Sequence, residues 1–330
     1  MNTESRLPVF NDILSARHRI AGDIYRTPVV RSDVLDDLVQ AEVFIKAECL
    51  QYSGAFKVRG AFNRLRQLNA TDFPGGVITW SSGNHGQAIA LAAKQLGTAA
   101  LVLMPSDSVQ TKIELTRSHG AEVVFFDRTK EDSTVIGAEL AAKRRAAIVP
   151  PANDPDVIAG QGTAALEMLE QIEGLGGSTP DVLLVPCGSG GLTAGCSLVF
   201  TQKAPASQIY AVEPEHFDDT GRSLLAGARL TNDRRSGSIC DALLAKTPAP
   251  LTFAVNAACE VKGLVISDNE ARSAMSFAFR HLKIVLEPGG AAALAAVLSG
   301  RTPVAGKTVA LVCSGGNVDE AVFAEAIAGS

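Results

Sequence analysis

At 330 residues, 46% hydrophobic and 20% charged, the chain has the composition of a folded protein large enough for two cores, not of a disordered or fibrous one. Its formal net charge of −5 gives no general pull toward nucleic acid or an acidic membrane surface, and no apolar run is long enough to span a bilayer. The six cysteines form no C-x-x-C pair and no zinc spacing, and residues 1–6 lack the apolar core of a signal peptide, so reduced thiols in a cytoplasmic protein are expected.

In chain order, short apolar runs alternate with helical periodicity. Residues 77–80 read as a buried strand, 81–86 as a polar turn and 87–96 as a helix. A strand over 99–104 and a turn at 105–108 precede a helix that Gly120 stops near His119. Strand 123–126, helix 131–145 and strand 147–149 follow. The second half repeats the habit with strand 182–185, glycine-rich turn 187–192, helix 193–202 and strand 208–213. Residues 268–282 have helical periodicity, with Asp268 placed to cap them, and 288–298 form an Ala-rich helix. The last strand is 308–313. Such alternation predicts α/β layers with mostly parallel sheets, in which ligands meet strand ends and helix N-termini. Domain crossings are expected near 69–76 and 150–155, with loops at 174–180 and 230–238.

Four segments carry chemistry. In Ser53-Gly54-Ala55-Phe56-Lys57-Val58-Arg59-Gly60-Ala61 a lysine sits between an aromatic and a small apolar residue. A Schiff-base lysine needs that partial desolvation, because an ammonium cannot attack an aldehyde, although a snorkelling surface lysine fits the same pattern. Ser81-Ser82-Gly83-Asn84-His85-Gly86 joins a strand to a helix and gathers two hydroxyls, an amide and a helix N-terminus, donors for a carboxylate or phenolate. Ordinary turn chemistry explains its Ser and Asn equally, and His85 serves either as a base or structurally. Gly188-Ser189-Gly190-Gly191-Leu192-Thr193 exposes successive backbone N–H groups ahead of a helix and reads as a phosphate cup. In Cys313-Ser314-Gly315-Gly316-Asn317 the Ser314 hydroxyl is free to meet a ring nitrogen, or the segment is one more turn.

Together these segments, with Val157-Ile158-Ala159-Gly160-Gln161-Gly162-Thr163 and Leu286-Glu287-Pro288-Gly289-Gly290, resemble the serine/threonine dehydratase and serine racemase family over nearly the whole chain. The resemblance implies two open-sheet α/β domains of pyridoxal-phosphate (PLP)-dependent fold type II, like the tryptophan synthase β chain. The large domain would take 1–70 and 154–330 and the small one 71–153, with the cofactor in the cleft between them and a homodimer as the working unit. It implies that Lys57 carries the cofactor as a Schiff base and later moves the α-proton, and that Phe56 packs on the ring. Asn84 would bond the phenolic oxygen, Gly188, Ser189, Gly190, Gly191 and Leu192 the phosphate, and Ser314 the pyridine nitrogen. Ser81, Ser82, Gly83 and His85 would dock the substrate carboxylate, with Ser82 serving the face opposite the lysine. The implied reaction removes water and then ammonia from L-threonine or L-serine, leaving a 2-oxo acid. In the further segment Glu213-Pro214-Glu215-His216-Phe217-Asp218-Asp219, the resemblance to the racemase branch implies that Glu213, the Phe217 carbonyl and Asp219 hold Mg²⁺, Ca²⁺ or Mn²⁺. An acidic loop without an ion is the plain alternative.

The chain departs from the family at Pro151-Ala152-Asn153-Asp154-Pro155, which lacks a common aromatic, and at Ser189, where glycine is usual. It ends soon after Ser314, so the regulatory domain of biosynthetic threonine dehydratases, and with it isoleucine feedback, is not expected. Serine or aspartate racemase, 3-hydroxyaspartate dehydratase and a hydroxyectoine-pathway dehydratase remain open alternatives. From other classes, a non-catalytic amino-acid-binding protein remains, as does an NAD-dependent dehydrogenase. For the latter, Gly188-x-Gly190 and Glu213 suit the dinucleotide fingerprint, but Thr193 stands at its third glycine.

Overall fold

The computed structural model describes residues 6–81, 83–108 and 110–329. Its strands are β1 Val29–Val30, β2 Glu42–Ala47, β3 Val77–Trp80, β4 Ala100–Pro105, β5 Glu122–Phe126, β6 Ala147–Ile148, β7 Val182–Pro186, β8 Gln208–Pro214, β9 Lys262–Ile266 and β10 Thr308–Cys313. They form a six-stranded sheet in the order β1-β2-β10-β7-β8-β9 and a four-stranded sheet in the order β5-β4-β3-β6. Every pairing is parallel except that of the two-residue edge strand β1 with β2.

Burial explains the strand sequences. Strands β2, β7, β8 and β10 are buried at nearly every position because helices cover both faces, so they read as continuous apolar runs rather than alternating ones. The Ala-rich helix Ala292–Leu298 packs on one face of the large sheet, where small side chains let it lie close. Helices Pro155–Gly174 and Gly191–Lys203 cover the other. Three smaller clusters close over the second sheet. All six cysteines are free, and five of them are buried. No helix among the described residues is long and apolar enough to cross a membrane.

Several sequence expectations shift. The helix expected from 87 is Asn84–Gln95, because Gly83 already stands at the N-cap. Residues 268–282 divide into an α-helix, Asp268–Phe277, and a π-helical turn, Ala278–Leu282. Its cap is Ser267 rather than Asp268: Ser267 and Glu270 form a capping box, while Asp268 accepts from Ile239 N at 3.2 Å. The 230–238 loop is mostly exposed, but Asn232 is buried, donating to Asp219 Oδ1 at 2.6 Å and to the Ala245 carbonyl at 2.8 Å. The helix Pro155–Gly174 had no sequence expectation, although Asp154 caps it by accepting from Asp156 N and Val157 N, with Pro155 in its first turn.

Candidate active site

Both sheets aim the carboxyl ends of their central strands at one cleft. The segments that follow β3, β7 and β10 line it, together with the start of helix Lys57–Leu65. The Lys57 segment is tied to the end of β10 by backbone bonds, Phe56 N to the Ser314 carbonyl at 3.1 Å and Gly316 N to the Gly54 carbonyl at 2.9 Å. Two regions 257 positions apart (57 and 314) are thereby held as one wall.

Lys57 is half-buried, its ammonium donating to the Pro151 carbonyl at 3.3 Å and lying 5.0 Å from the centre of the buried Phe56 ring. Burial pulls its pKa from the ordinary 10.5 down to about 8, and the nearby Glu287 offsets only part of that. Across the cleft, Gly190 is the left-handed N-cap of helix Gly191–Lys203, with φ +85°. A Cβ there would stand 3.0 Å from Thr252, so only glycine lets the backbone take this turn against its neighbour. Thr252 Oγ1 in turn donates to the Ser189 carbonyl at 2.7 Å, which fixes the loop with its N–H groups free for an anion.

Asn84 has a defined orientation. Its Nδ2 donates to Glu287 at 2.6 Å, and its Oδ1 accepts from Asn317 at 2.8 Å. His85 is buried, and its Nε2–H donates to the Val149 carbonyl at 3.1 Å. Burial, with the charge of Lys57 beside it, lowers its pKa to about 3, so the ring is neutral and its buried Nδ1 can only accept. A carboxylate docking here meets the backbone N–H groups of the helix start rather than an imidazolium.

The cleft therefore gathers Phe56, Lys57, Ser81, Gly83, Asn84, His85, Gly188, Ser189, Gly190, Gly191, Leu192 and Ser314. Ser82 lies outside the described residues. Glu213, near the end of β8, and Phe217 and Asp219, just after it, are not among the residues that line the cleft. Glu213 is fully buried, and its two oxygens accept from Thr220 N and Gly221 N, both at 2.8 Å. That engagement leaves no free carboxylate for the ribose contact that the dinucleotide reading required. Among the described residues no group of three or more His, Cys, Asp or Glu side chains is placed to hold a metal ion.

Three charged lining residues carry no role on sequence grounds: Lys112, Asp241 and Glu287. Glu287 had a visible signal, an acid between Leu286 and Pro288 in an apolar stretch. It is 2% exposed, and burial, then the charge of Asp241, pushes its carboxyl up to about 7. Lys112 and Asp241 look like surface residues in sequence, and only the fold brings them to the cleft.

These donors suit pyridoxal phosphate: a desolvated amine, an aromatic wall, a glycine loop of free amides and an oriented carboxamide share one cleft. The family described as pyridoxal-phosphate dependent enzyme matches residues 20–315. The chain is 38% identical to the L-threo-3-hydroxyaspartate ammonia-lyase of Saccharomyces cerevisiae, covering 98% of this chain and 97% of the relative. It is also 38% identical to the serine racemase of Schizosaccharomyces pombe, over 95% of each. Among solved structures, the T.th. threonine deaminase superposes with a TM-score of 0.87 at 38% identity, covering 94% of this chain and 99% of that one. By sequence, by fold and by the contents of its cleft, this chain belongs to the pyridoxal-phosphate dependent enzyme family.

Proposed function

We propose that the chain dehydrates and deaminates a small β-hydroxy amino acid, L-threonine or L-serine, to a 2-oxo acid and ammonia. The observation that carries this reading is the desolvated Lys57 amine facing a glycine-amide cup across a cleft, with the start of helix Asn84–Gln95 beside it. When bound, pyridoxal phosphate supplies an electron sink that acidifies the substrate's α-C–H bond. The residues that would hold it are Lys57 and Phe56, the amides of 188–192, Asn84 Nδ2 and Ser314. The amides of 83–85 orient the substrate carboxylate. Lys57 Nζ would take the α-proton, and the β-hydroxyl would leave with one proton as water, so that the H and OH lost from adjacent carbons balance. Enclosure of the cleft lowers the Nζ pKa to about 8, so a large neutral fraction able to accept that proton is present near pH 8. Ser314, a neutral hydroxyl, favours rapid loss of a leaving group over a long-lived carbanion.

Relatives named for threonine, serine and 3-hydroxyaspartate chemistry support the reaction class. The two separate sheets support taking 71–153 as a small domain and 1–70 with 154–330 as the large one. A cytoplasmic homodimer belongs to the same reading, and sedimentation checks the dimer. The metal assignment, Mg²⁺, Ca²⁺ or Mn²⁺ at Glu213, Asp219 and the Phe217 carbonyl, draws support from two buried acids, neither of them in direct contact with a cation among the described residues. Burial raises Glu213 well above the usual range and lifts Asp219 to about 7, and one Asp219 oxygen has no hydrogen-bond partner there. The function is tested by visible absorption of the purified protein and by 2-oxo acid release from threonine and serine, with Lys57→Ala as control. A protein without a borohydride-reducible band, or one whose Lys57→Ala variant keeps both band and turnover, sinks the reading.

A further inference from the structure

The charged groups lining the cleft are Lys57, Lys112, Asp241 and Glu287, His85 being neutral. Lys57 is committed to the cofactor and Glu287 is bonded to Asn84. That leaves an ion pair the reaction does not use. Lys112, on helix Gln110–Ser118, reaches from the four-stranded-sheet body to Asp241 on the turn Asp241–Leu243 of the other body. The pair thus spans the cleft mouth. The turn is pressed against the glycine loop: a Cβ on Gly188 would stand 3.1 Å from the Ala242 carbonyl.

The two partners are unequally exposed. The Lys112 side chain is 11% exposed and that of Asp241 is 47%. A cation that buried must always face an anion, whereas an acid that exposed loses little by turning to water. Asp241 is therefore replaceable and Lys112 is not. The Lys112 ammonium also lies 3.8 Å from the point where a Cβ on Gly83 would sit, beside the amides proposed to take the α-carboxylate. A substrate with a second carboxylate two carbons from the first reaches this cation.

Resting on the proposed dehydratase reading, we propose that Lys112 is a second carboxylate subsite and that Asp241 is its place-holder. The enzyme's preferred substrates are then β-hydroxy dicarboxylic amino acids of the 3-hydroxyaspartate class. The β-carboxylate takes over Lys112, while threonine's methyl leaves the ion pair closed. The chemistry is unchanged. The α-C–H and β-C–O bonds break, the hydroxyl leaves as water, and water then replaces the nitrogen of the enamine as ammonia. No oxidant or reductant is required.

The test compares kcat/KM for threo-3-hydroxyaspartate and for threonine in holoenzyme of the wild type, Lys112→Met, Lys112→Arg and Asp241→Asn. The expected result is that the hydroxyaspartate-to-threonine ratio falls on the order of thirtyfold or more in Lys112→Met. It recovers in part in Lys112→Arg, and the KM for hydroxyaspartate drops in Asp241→Asn. Calorimetry with unreactive succinate and butyrate gives a readout apart from turnover: Lys112→Met weakens succinate and spares butyrate. An unchanged ratio, or equal losses on both substrates, overturns the subsite. If the wild type forms no oxo acid from either substrate, the parent reading fails. In that event succinate binding that survives Lys112→Met overturns the subsite on its own.

Discussion

Two residues beyond Lys57, on the same helix, Arg59 is the largest fully buried side chain among the described residues. Its guanidinium donates to Glu48 at 2.7 and 2.8 Å, to Glu167 at 2.8 and 2.8 Å, and to Thr163 Oγ1 at 3.1 Å. Lys46 reaches Glu167 from the other side, also at 2.8 Å. Burial works against the charge on Glu167, but Arg59 and Lys46 outweigh it and hold the carboxyl below the usual range. The cluster is two cations against two anions, so it is neutral as a whole. Arg59→Met removes one cation and strands Glu48, fully buried, with the Thr27 hydroxyl as its remaining side-chain partner in the cluster. Breaking one side of such a buried pair costs about 3–5 kcal/mol. Arg59→Met with Glu48→Gln restores neutrality and recovers a large part of that loss. Urea unfolding of the apoprotein, followed by far-UV circular dichroism, measures both. A single variant within about 1 kcal/mol of wild type, or a double variant no better than the single, refutes the charge balance argued here.

Three further outcomes follow from the same geometry. Burial lowers the Lys57 pKa to about 8, so cofactor uptake by apoprotein should speed up as pH rises through about 8, followed by the growth of visible absorbance. A rate that rises only near the ordinary 10.5 refutes that enclosure. His85 is held neutral with a pKa of about 3, while in the unfolded chain it returns to the ordinary 6.5. The unfolded state therefore binds the extra proton below 6.5, and stability falls with pH until the native group titrates. Relative to His85→Gln, wild type should lose about 2 kcal/mol between pH 7.5 and 5, measured by urea titration, and parallel curves would refute this. For the Glu213 and Asp219 pair, added Mg²⁺ or Ca²⁺ should raise the melting temperature and a chelator should reverse it. Asp219→Asn should abolish that shift, and a shift that persists in this variant removes Asp219 from the ligand set.

Much of this protein is legible along the chain. Strands β3, β4, β7, β8 and β10 are short apolar runs followed at once by turn residues, and each lies within two residues of its expected ends. Strands β2 and β9 escaped the reading. Lys46 interrupts the apolar run of β2, and it is tolerated only because Glu167, from a distant helix, neutralises it. Strand β9 is an edge strand whose first two residues are exposed and only whose last is buried, so burial imposes no pattern on it. Among the site residues, the glycine loop and the 81–86 turn announce themselves because special backbone conformations need particular residues in succession.

By itself, then, the sequence determined the layer type and the strings that line the cleft, since both depend on local backbone chemistry and on the alternation of strand and helix. Which charges meet across that cleft was decided by tertiary structure alone. Lys112 and Asp241 stand 129 positions apart, Asn84 and Glu287 203 apart, and nothing local in either segment encodes the other. Their pairing, and the shifted proton affinities of Lys57, His85 and Glu287, come from desolvation and Coulomb interaction, which depend on distance in space rather than along the chain.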